Sequence, residues 1–350
     1  MPIFTAIDFD THEQVAFFYD KGTGLKAIVA LHNTNRGPAL GGCRMWAYTT
    51  EQQAIRDALR LSRGMTYKAA MANLPFGGGK AIVIGDSYTD KSPALFRALG
   101  KCIERLGGEY ITGEDVGTSV ADMDSIGETT SYVRGKSTGS GDPSFFTAVG
   151  LCECIRATVK YRLGQSSLKN IKITVQGLGN VGYHLCKCLV KEGAILMVTD
   201  INPELVTRVV KEYKVQAIAP EAIYEAETDV FSPCALGAIL NDYTIPQLKC
   251  SIVAGSANNQ LDSQIHGRIL ADQKILYAPD YVINAGGLIN VSCEGASYDA
   301  ERVMRHVKKI PDTLLQVFQM AETLEIPTNE AADLIAEERF REDGESNHIN

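Results

Sequence analysis

Two lysines and one carboxylate have the type and setting to move protons. Lys80 follows three glycines in PFGGGKAIVIGD, Lys68 stands upstream in RGMTYKAAMANL, and Asp115 lies in TGEDVGT. A lysine at the mouth of an apolar strand is partly stripped of water, which drives it toward the neutral form that serves as a base. A second cation nearby pushes it the same way. Asp115, ending another short apolar run, sits where the loops of a sheet converge; a helix cap is the competing reading. Further along, Gly177, Gly179 and Gly182 frame GLGNVG, with Asn180 and Val181 inside it, and Asp200 follows about 20 residues on. In that pattern Gly177 permits a tight turn, Gly179 lets backbone approach a pyrophosphate at a helix N-terminus, and Gly182 lets helix pack closely on strand. Asp200 can accept from both ribose hydroxyls, and neither Ile201 nor Asn202 offers a cation for a 2′-phosphate. The expected cofactor is therefore NAD rather than NADP, the rival being a βαβ unit that binds nothing.

The elements that must hold these groups read as α/β throughout. VAFFYD and LKAIVALHN suggest two strands joined by a turn at 21–24, with helices over 50–65, 92–106 and 120–128 and short strands at 81–84 and 110–112. This predicts an N-terminal domain with a mixed sheet. Beyond the Gly-Ser-rich stretch STGSGDPS at 137–144, a helix over 148–161 leads to IKITVQ, GLGNVG, a helix over 182–192 and AILMVTD, one βαβ unit. Strands at 229–232, 251–254 and 275–277 extend it into a doubly wound Rossmann sheet. The expected division is 1–138 for substrate chemistry and oligomerisation and 139–325 for NAD, with a cleft between them. A C-terminal helix over 326–350 is expected to return to the first domain.

Composition agrees with two domains: 350 residues, 45% apolar and 22% charged, exceed what one core fills comfortably. With 34 basic against 42 acidic residues the net charge is -8, which offers no general attraction to nucleic acid or anionic membranes. The opening MPIFTAIDFDTHEQ lacks the basic head and apolar run of a secretory leader, and the chain reads as cytoplasmic. Cys152 and Cys154, like Cys186 and Cys188, are two residues apart within helical segments and do not share a face. They are expected to be small buried hydrophobes, and the six histidines show no ligand spacing, so no metal is expected.

GPALGGCRM at 37–45, the run at 63–86, TGEDVGT, GLGNVG with VTDIN, and APDYVINAGGLINV at 278–291 resemble, in order over nearly the whole chain, the amino-acid dehydrogenases of the leucine, phenylalanine and valine branch of the glutamate dehydrogenase superfamily. The resemblance implies reversible oxidative deamination, in which an L-amino acid, NAD and water give a 2-oxo acid, NADH and ammonium. It implies Lys80 as the base that activates water, Asp115 as its partner at the α-amino group, and Lys68 as the holder of the α-carboxylate. Gly41, Gly42 and Asn259 would face the substrate, and Thr147 and Asn284 the nicotinamide end. The matched side-chain pocket, Leu40, Met65, Leu74, Gly113, Leu288 and Val291, carries no charge, which disfavours glutamate. Gly113 with Leu288 resembles the phenylalanine type, so phenylalanine and then tryptophan are expected, with leucine and valine as the alternative. Arg134-Gly135-Lys136, the shortened loop after them, and Phe145 and Phe146 depart from the leucine pattern. A non-catalytic NAD-binding protein should have lost one of the three polar groups, and a 2-hydroxy-acid dehydrogenase should place a histidine in a comparable motif, which His32, His184 and His266 do not provide. The family further implies a homo-oligomer, a dimer or an octamer, built through the first domain.

Overall fold

The structure, a computed structural model, describes residues 3–6, 8–295 and 297–341. It divides into two compact units, one of residues 1–141, 291–298 and 336–350, the other of 142–290 and 299–335. The segment 291–298, expected with the NAD domain, thus belongs to the first unit.

In the first unit β1 (Gln14–Asp20) and β2 (Leu25–Asn33) form a hairpin whose turn is closed by Gly24 at φ 75° and by Asp20, which accepts from the Thr23 amide at 2.8 Å. The remaining strands are β3 (Ala39–Trp46), β4 (Gly77–Ile84) and β5 (Tyr110–Glu114), in sheet order β1-β2-β4-β3-β5. β2 runs antiparallel to β1 and β4, while β3 is parallel to both β4 and β5, which makes the sheet mixed. α1 (Glu51–Met71) starts at Thr50, whose side chain accepts from the Gln53 amide, and runs six residues past the expected end at Met65. α2 (Pro93–Glu104) is capped by Ser92, and α3 (Val120–Gly127) by a reciprocal Ser119–Asp122 box. Core residues of β2, β3, β4, β5, α2 and α3 around Phe96, Tyr110 and Met123 pack on one face of the sheet, and Ile28, Ala30, Ala54, Ala58 and Ile82 pack on the other.

The second unit holds α4 (Ser144–Leu163), β6 (Lys172–Gln176), α5 (Asn180–Lys191), β7 (Ile195–Thr199), α6 (Pro203–Tyr213) and β8 (Gln216–Ala217). Then come β9 (Val230–Pro233), β10 (Ile252–Val253), α7 (Ile265–Asp272), β11 (Leu276–Tyr277), α8 (Asp280–Ile283), α9 (Gly286–Ser292), α10 (Ala300–Val307), α11 (Ile310–Leu324) and α12 (Thr328–Phe340). The sheet is wholly parallel in the order β11-β10-β9-β6-β7-β8. The chain enters at β6, builds outward to β8, and returns to the other side of β6 with β9. The carboxyl end of β6 is therefore the switch point, where open α/β sheets bind ligands.

The last turn of α12 belongs to the first unit: Arg339 donates to Ala70 O and Met71 O at 3.2 and 3.1 Å, and Tyr67 donates to Glu337 at 2.7 Å. Residues 342–350 of the expected C-terminal helix lie outside the described residues. Among the described residues no helix is long and apolar enough to cross a membrane.

Candidate functional site

In the first unit the expected residues converge on a floor of backbone. β3 pairs Gly42 with Gly113 of β5, and its register with β4, Leu40 to Gly78 and Cys43 to Ala81, sets Gly42 level with Lys80. A methyl group at Gly41 would stand 1.7 Å from Gly79 O, one at Gly78 2.0 Å from Thr66 N of α1, and one at Gly42 2.8 Å from Asp115 Cβ. The glycines thus bring three strands and a helix closer than any side chain allows. Gly113 differs: it is buried, yet the nearest atom to an added methyl is Arg134 O at 3.9 Å. There is room beside it.

Lys80, 5% exposed, places Nζ 2.6 Å from Asp115 Oδ2. The same oxygen accepts from Arg44 Nε at 3.2 Å. Burial would push the Asp115 carboxyl up, but Lys80 and then Arg44 outweigh it and hold the group at about 2, so it is a carboxylate at any working pH. Asp115 also ends β5 in a turn, its amide donating to Thr118 Oγ1 at 3.0 Å, but its side chain caps no helix in this structure. Lys68 and Met65, three residues apart on α1, share a helix face and are both half-buried. Leu40 and Leu74 are buried and Val291 is half-buried.

Sequence reasoning missed Arg44, Asp57, Tyr48 and Glu294. Arg44 alternates with Gly42 along β3, a signal available only once 39–46 is read as a strand. Glu294 fastens the loop that departs from the leucine pattern: it accepts from the amides of Gly135 and Ser140 at 2.6 and 3.0 Å and from Ser140 Oγ at 2.6 Å. Just before that loop, residues 132–134 pair with β5 through Thr112, which fixes Arg134 O beside Gly113.

In the second unit Gly177, at φ 98°, turns the chain out of β6, and α5 begins directly after Gly179, two residues earlier than expected. A methyl at Gly182 would stand 2.0 Å from Gly177 O, whereas one at exposed Gly179 would meet nothing within 4 Å. Asp200, just past β7, takes the Leu178 amide on Oδ2 at 2.6 Å and the Asn202 amide on Oδ1 at 2.8 Å. Each oxygen keeps a lone pair for a ribose hydroxyl. Asn180 is exposed, Val181 half-buried, and Ile201 is 92% exposed beside Asp200. Asn284 donates to Ser256 O at 3.1 Å and Asn258 Oδ1 at 2.8 Å, while its buried Oδ1 has no protein partner. An unsatisfied buried acceptor of this kind suits the amide hydrogens of a nicotinamide. Thr147 is buried in the first turn of α4, with Oγ1 2.9 Å from where a methyl on Gly287 would stand. These residues fit a dinucleotide. Asn259 and Leu288, expected at the substrate, lie in this unit; Asn259 is exposed at φ 52°, its amide held by Asp280 at 2.6 Å.

Comparison with known proteins places two family matches on the chain: "Glu/Leu/Phe/Val dehydrogenase, dimerisation domain" over residues 12–132, and "Glutamate/Leucine/Phenylalanine/Valine dehydrogenase" over 197–345. Leucine dehydrogenase of Geobacillus stearothermophilus is 53% identical over 343 residues, 97% of this chain and 94% of its own length. Phenylalanine dehydrogenase of Bacillus thermotolerans is 48% identical over 97% of this chain and 91% of its own length. The crystal structure of L-tryptophan dehydrogenase from Nostoc punctiforme superposes with a TM-score of 0.85 at 45% identity, covering 94% of this chain and 96% of that one.

Proposed function

The chain belongs to the Glu/Leu/Phe/Val dehydrogenase family and is an NAD-dependent amino-acid dehydrogenase, and from that premise we propose that it oxidatively deaminates a hydrophobic L-amino acid, aromatic by preference. The observation that carries the reading is the Lys80–Asp115 contact, 2.6 Å long and set against the glycine floor.

Bound NAD supplies the acceptor for the hydride that leaves Cα. Lys68 pairs with the α-carboxylate and fixes Cα, the positioning part of catalysis. Lys80 takes a proton from the water whose oxygen bonds to Cα, and Asp115 carries protons to the departing amino group so that the C–N bond breaks with ammonia as leaving group. Gly41 and Gly42, whose missing side chains let Gly79 and Asp115 close in, form the backbone floor on the substrate side. Leu40, Met65, Gly113 and Val291 receive the side chain, and the room at Gly113 is what favours a planar ring. On the cofactor side Gly177, Gly179 and Gly182 admit the pyrophosphate, Asp200 binds the ribose beside Ile201, and Asn284 and Thr147 hold the nicotinamide end. Leucine is the second reading, favoured by the identity to leucine dehydrogenase. A homo-oligomer built through the first unit is also proposed; the outer residues Phe17 and Tyr19 of edge strand β1, 54% and 68% exposed, support it.

Oxidation of NADH with ammonium and a panel of 2-oxo acids tests this reading. Phenylpyruvate or indolepyruvate should give the highest kcat/KM. A preference for 4-methyl-2-oxopentanoate overturns the aromatic assignment alone, and a preference for 2-oxoglutarate overturns the pocket. Lys80→Ala should lower kcat by about 100-fold or more while NADH still binds; near-normal turnover removes Lys80 from the chemistry.

A further inference from the structure

Lys80 is the inner end of a chain of charges that runs through Asp115 toward the surface. Asp115 Oδ2 accepts from Lys80 Nζ at 2.6 Å and from Arg44 Nε at 3.2 Å. The other arm of the same guanidinium, Nη1, donates to Asp57 Oδ2 on α1 at 3.2 Å, and that oxygen also accepts from the Tyr48 hydroxyl at 2.7 Å. Two cations and two carboxylates alternate, so the group is neutral as a whole; Asp57 is held by two donors, and Asp115 by Lys80, Arg44 and the Val116 amide. Burial and then the Asp57 carboxylate push the Tyr48 hydroxyl up, so it remains a donor. Burial would weaken the Arg44 charge, but Asp115 and Asp57 more than restore it.

We infer that Arg44 is a positioning residue of the reaction: it grips the same Asp115 carboxylate oxygen as Lys80, and Asp57 with Tyr48 fixes the angle of its guanidinium. The inference rests on the reading of Lys80 and Asp115 as the catalytic pair. Without Arg44, Asp115 keeps the Val116 amide and Lys80, and its orientation depends on that flexible lysine side chain. With it, the carboxylate stays in place when Lys80 changes protonation state, the moment at which the Lys80–Asp115 attraction weakens. Only a forked side chain can serve, because Nε and Nη1 reach different carboxylates at once. For the same reason Arg44 does not serve as a counter-charge for a distal carboxylate on the substrate: both neighbouring carboxylates already neutralise it.

The test is steady-state kinetics of the purified enzyme with NAD and its best amino acid, with thermal melting as the check on folding. Arg44→Ala should lower kcat by about 100-fold, as a small misplacement of a proton-transfer group does, with the KM for NAD within about twofold of wild type. Millimolar ethylguanidinium should restore part of that kcat, which a mere folding defect would not allow. Arg44→Lys should remain impaired. If Arg44→Ala does not fold, Asp57→Asn replaces it: it leaves Arg44 against Asp115 but frees its angle, and should lower kcat by about 10-fold, the effect of one charge-assisted hydrogen bond. Lys91→Met breaks an equally short ion pair, 2.6 Å to Asp122, elsewhere in the first unit and should leave kcat unchanged. Wild-type kcat in folded Arg44→Ala or Asp57→Asn, or no rescue of Arg44→Ala, overturns the inference. Wild-type kcat in Lys80→Ala overturns instead the reading on which it rests.

Discussion

Gly113→Ala separates the substrate from the scaffold. The position lies in strand β5 with no left-handed backbone angle, and an added methyl meets only Arg134 O, at the ordinary contact distance of 3.9 Å. The folded protein can accept alanine without strain, and the stiffer unfolded chain should raise stability by about 0.4–1 kcal/mol. Any loss of activity then arises from the bound substrate. A methyl-sized mismatch in an apolar pocket is worth about 1–3 kcal/mol, which converts to about 5- to 150-fold in relative kcat/KM. The assay is NADH formation with phenylalanine and with leucine, read as a ratio so that active-site concentration cancels. The ratio should fall toward leucine by that factor while the melting temperature holds or rises. An unchanged ratio in a stable variant would show that Gly113 does not face the side chain, and an equal fall for both substrates would move it to the amino-acid core they share. Gly42→Ala is the contrast: its methyl would stand 2.7 Å from Glu114 O and 2.8 Å from Asp115 Cβ, so it should depress kcat for every substrate alike.

Three other expectations follow from local geometry and charge. Gly179→Ala should keep the wild-type melting temperature but weaken NADH binding by about 10-fold, whereas Gly182→Ala should lose stability by more than about 1 kcal/mol because its methyl would overlap Gly177 O; fluorescence titration and melting distinguish them. Burial, then His12, lowers His32 from 6.5 to about 4 against the pull of Asp10, so the unfolded chain binds a proton there first as pH falls. Stability held above pH 6.5 should drain away down to about pH 4 by about 3 kcal/mol, and His32→Asn should flatten that slope in pH-dependent melts. Hydrogen bonding from Cys152 outweighs burial and, with Lys187 and Lys191, brings the Cys188 thiol down to about 7, while burial pushes Cys43 and Cys250 up to about 12. Iodoacetamide at pH 7.5 should therefore label Cys188 first, by about 100-fold over Cys43; equal labelling in peptide mapping would contradict this.

The cysteine pairing shows what sequence spacing cannot convey. Cys152 and Cys154, or Cys186 and Cys188, point to different sides of their own helices, and treating each pair in isolation left four inert thiols. The helices α4 and α5 pack side by side, with Phe145 against His184 at 5.9 Å and Arg156 bonded to Glu192 at 2.9 Å, and between those contacts Cys152 meets Cys188. Register between two helices is a tertiary fact. The βαβ unit around GLGNVG was legible because strand, turn and helix are adjacent in sequence, as the 2.0 Å approach of a methyl at Gly182 to Gly177 O shows.

The first unit was legible in its groups but not in their mutual support, and the cause is β3. Gly41 and Gly42 suppress strand propensity, so ALGGCRMW carries no clear strand signal. Yet those glycines are what let β3 slip between β4 and β5 in a sheet where every neighbour of β3 comes from later in the chain. Once that strand is in place, period-two alternation carries the chain from Gly42 beside Gly113 to Arg44 beside Asp115, and an arginine that no sequence motif singles out becomes a partner of the proton-transfer pair. The feature that hides the strand from propensity is thus the feature that makes the site possible: a corner built from backbone, in which the side chains that remain are those with chemistry to do.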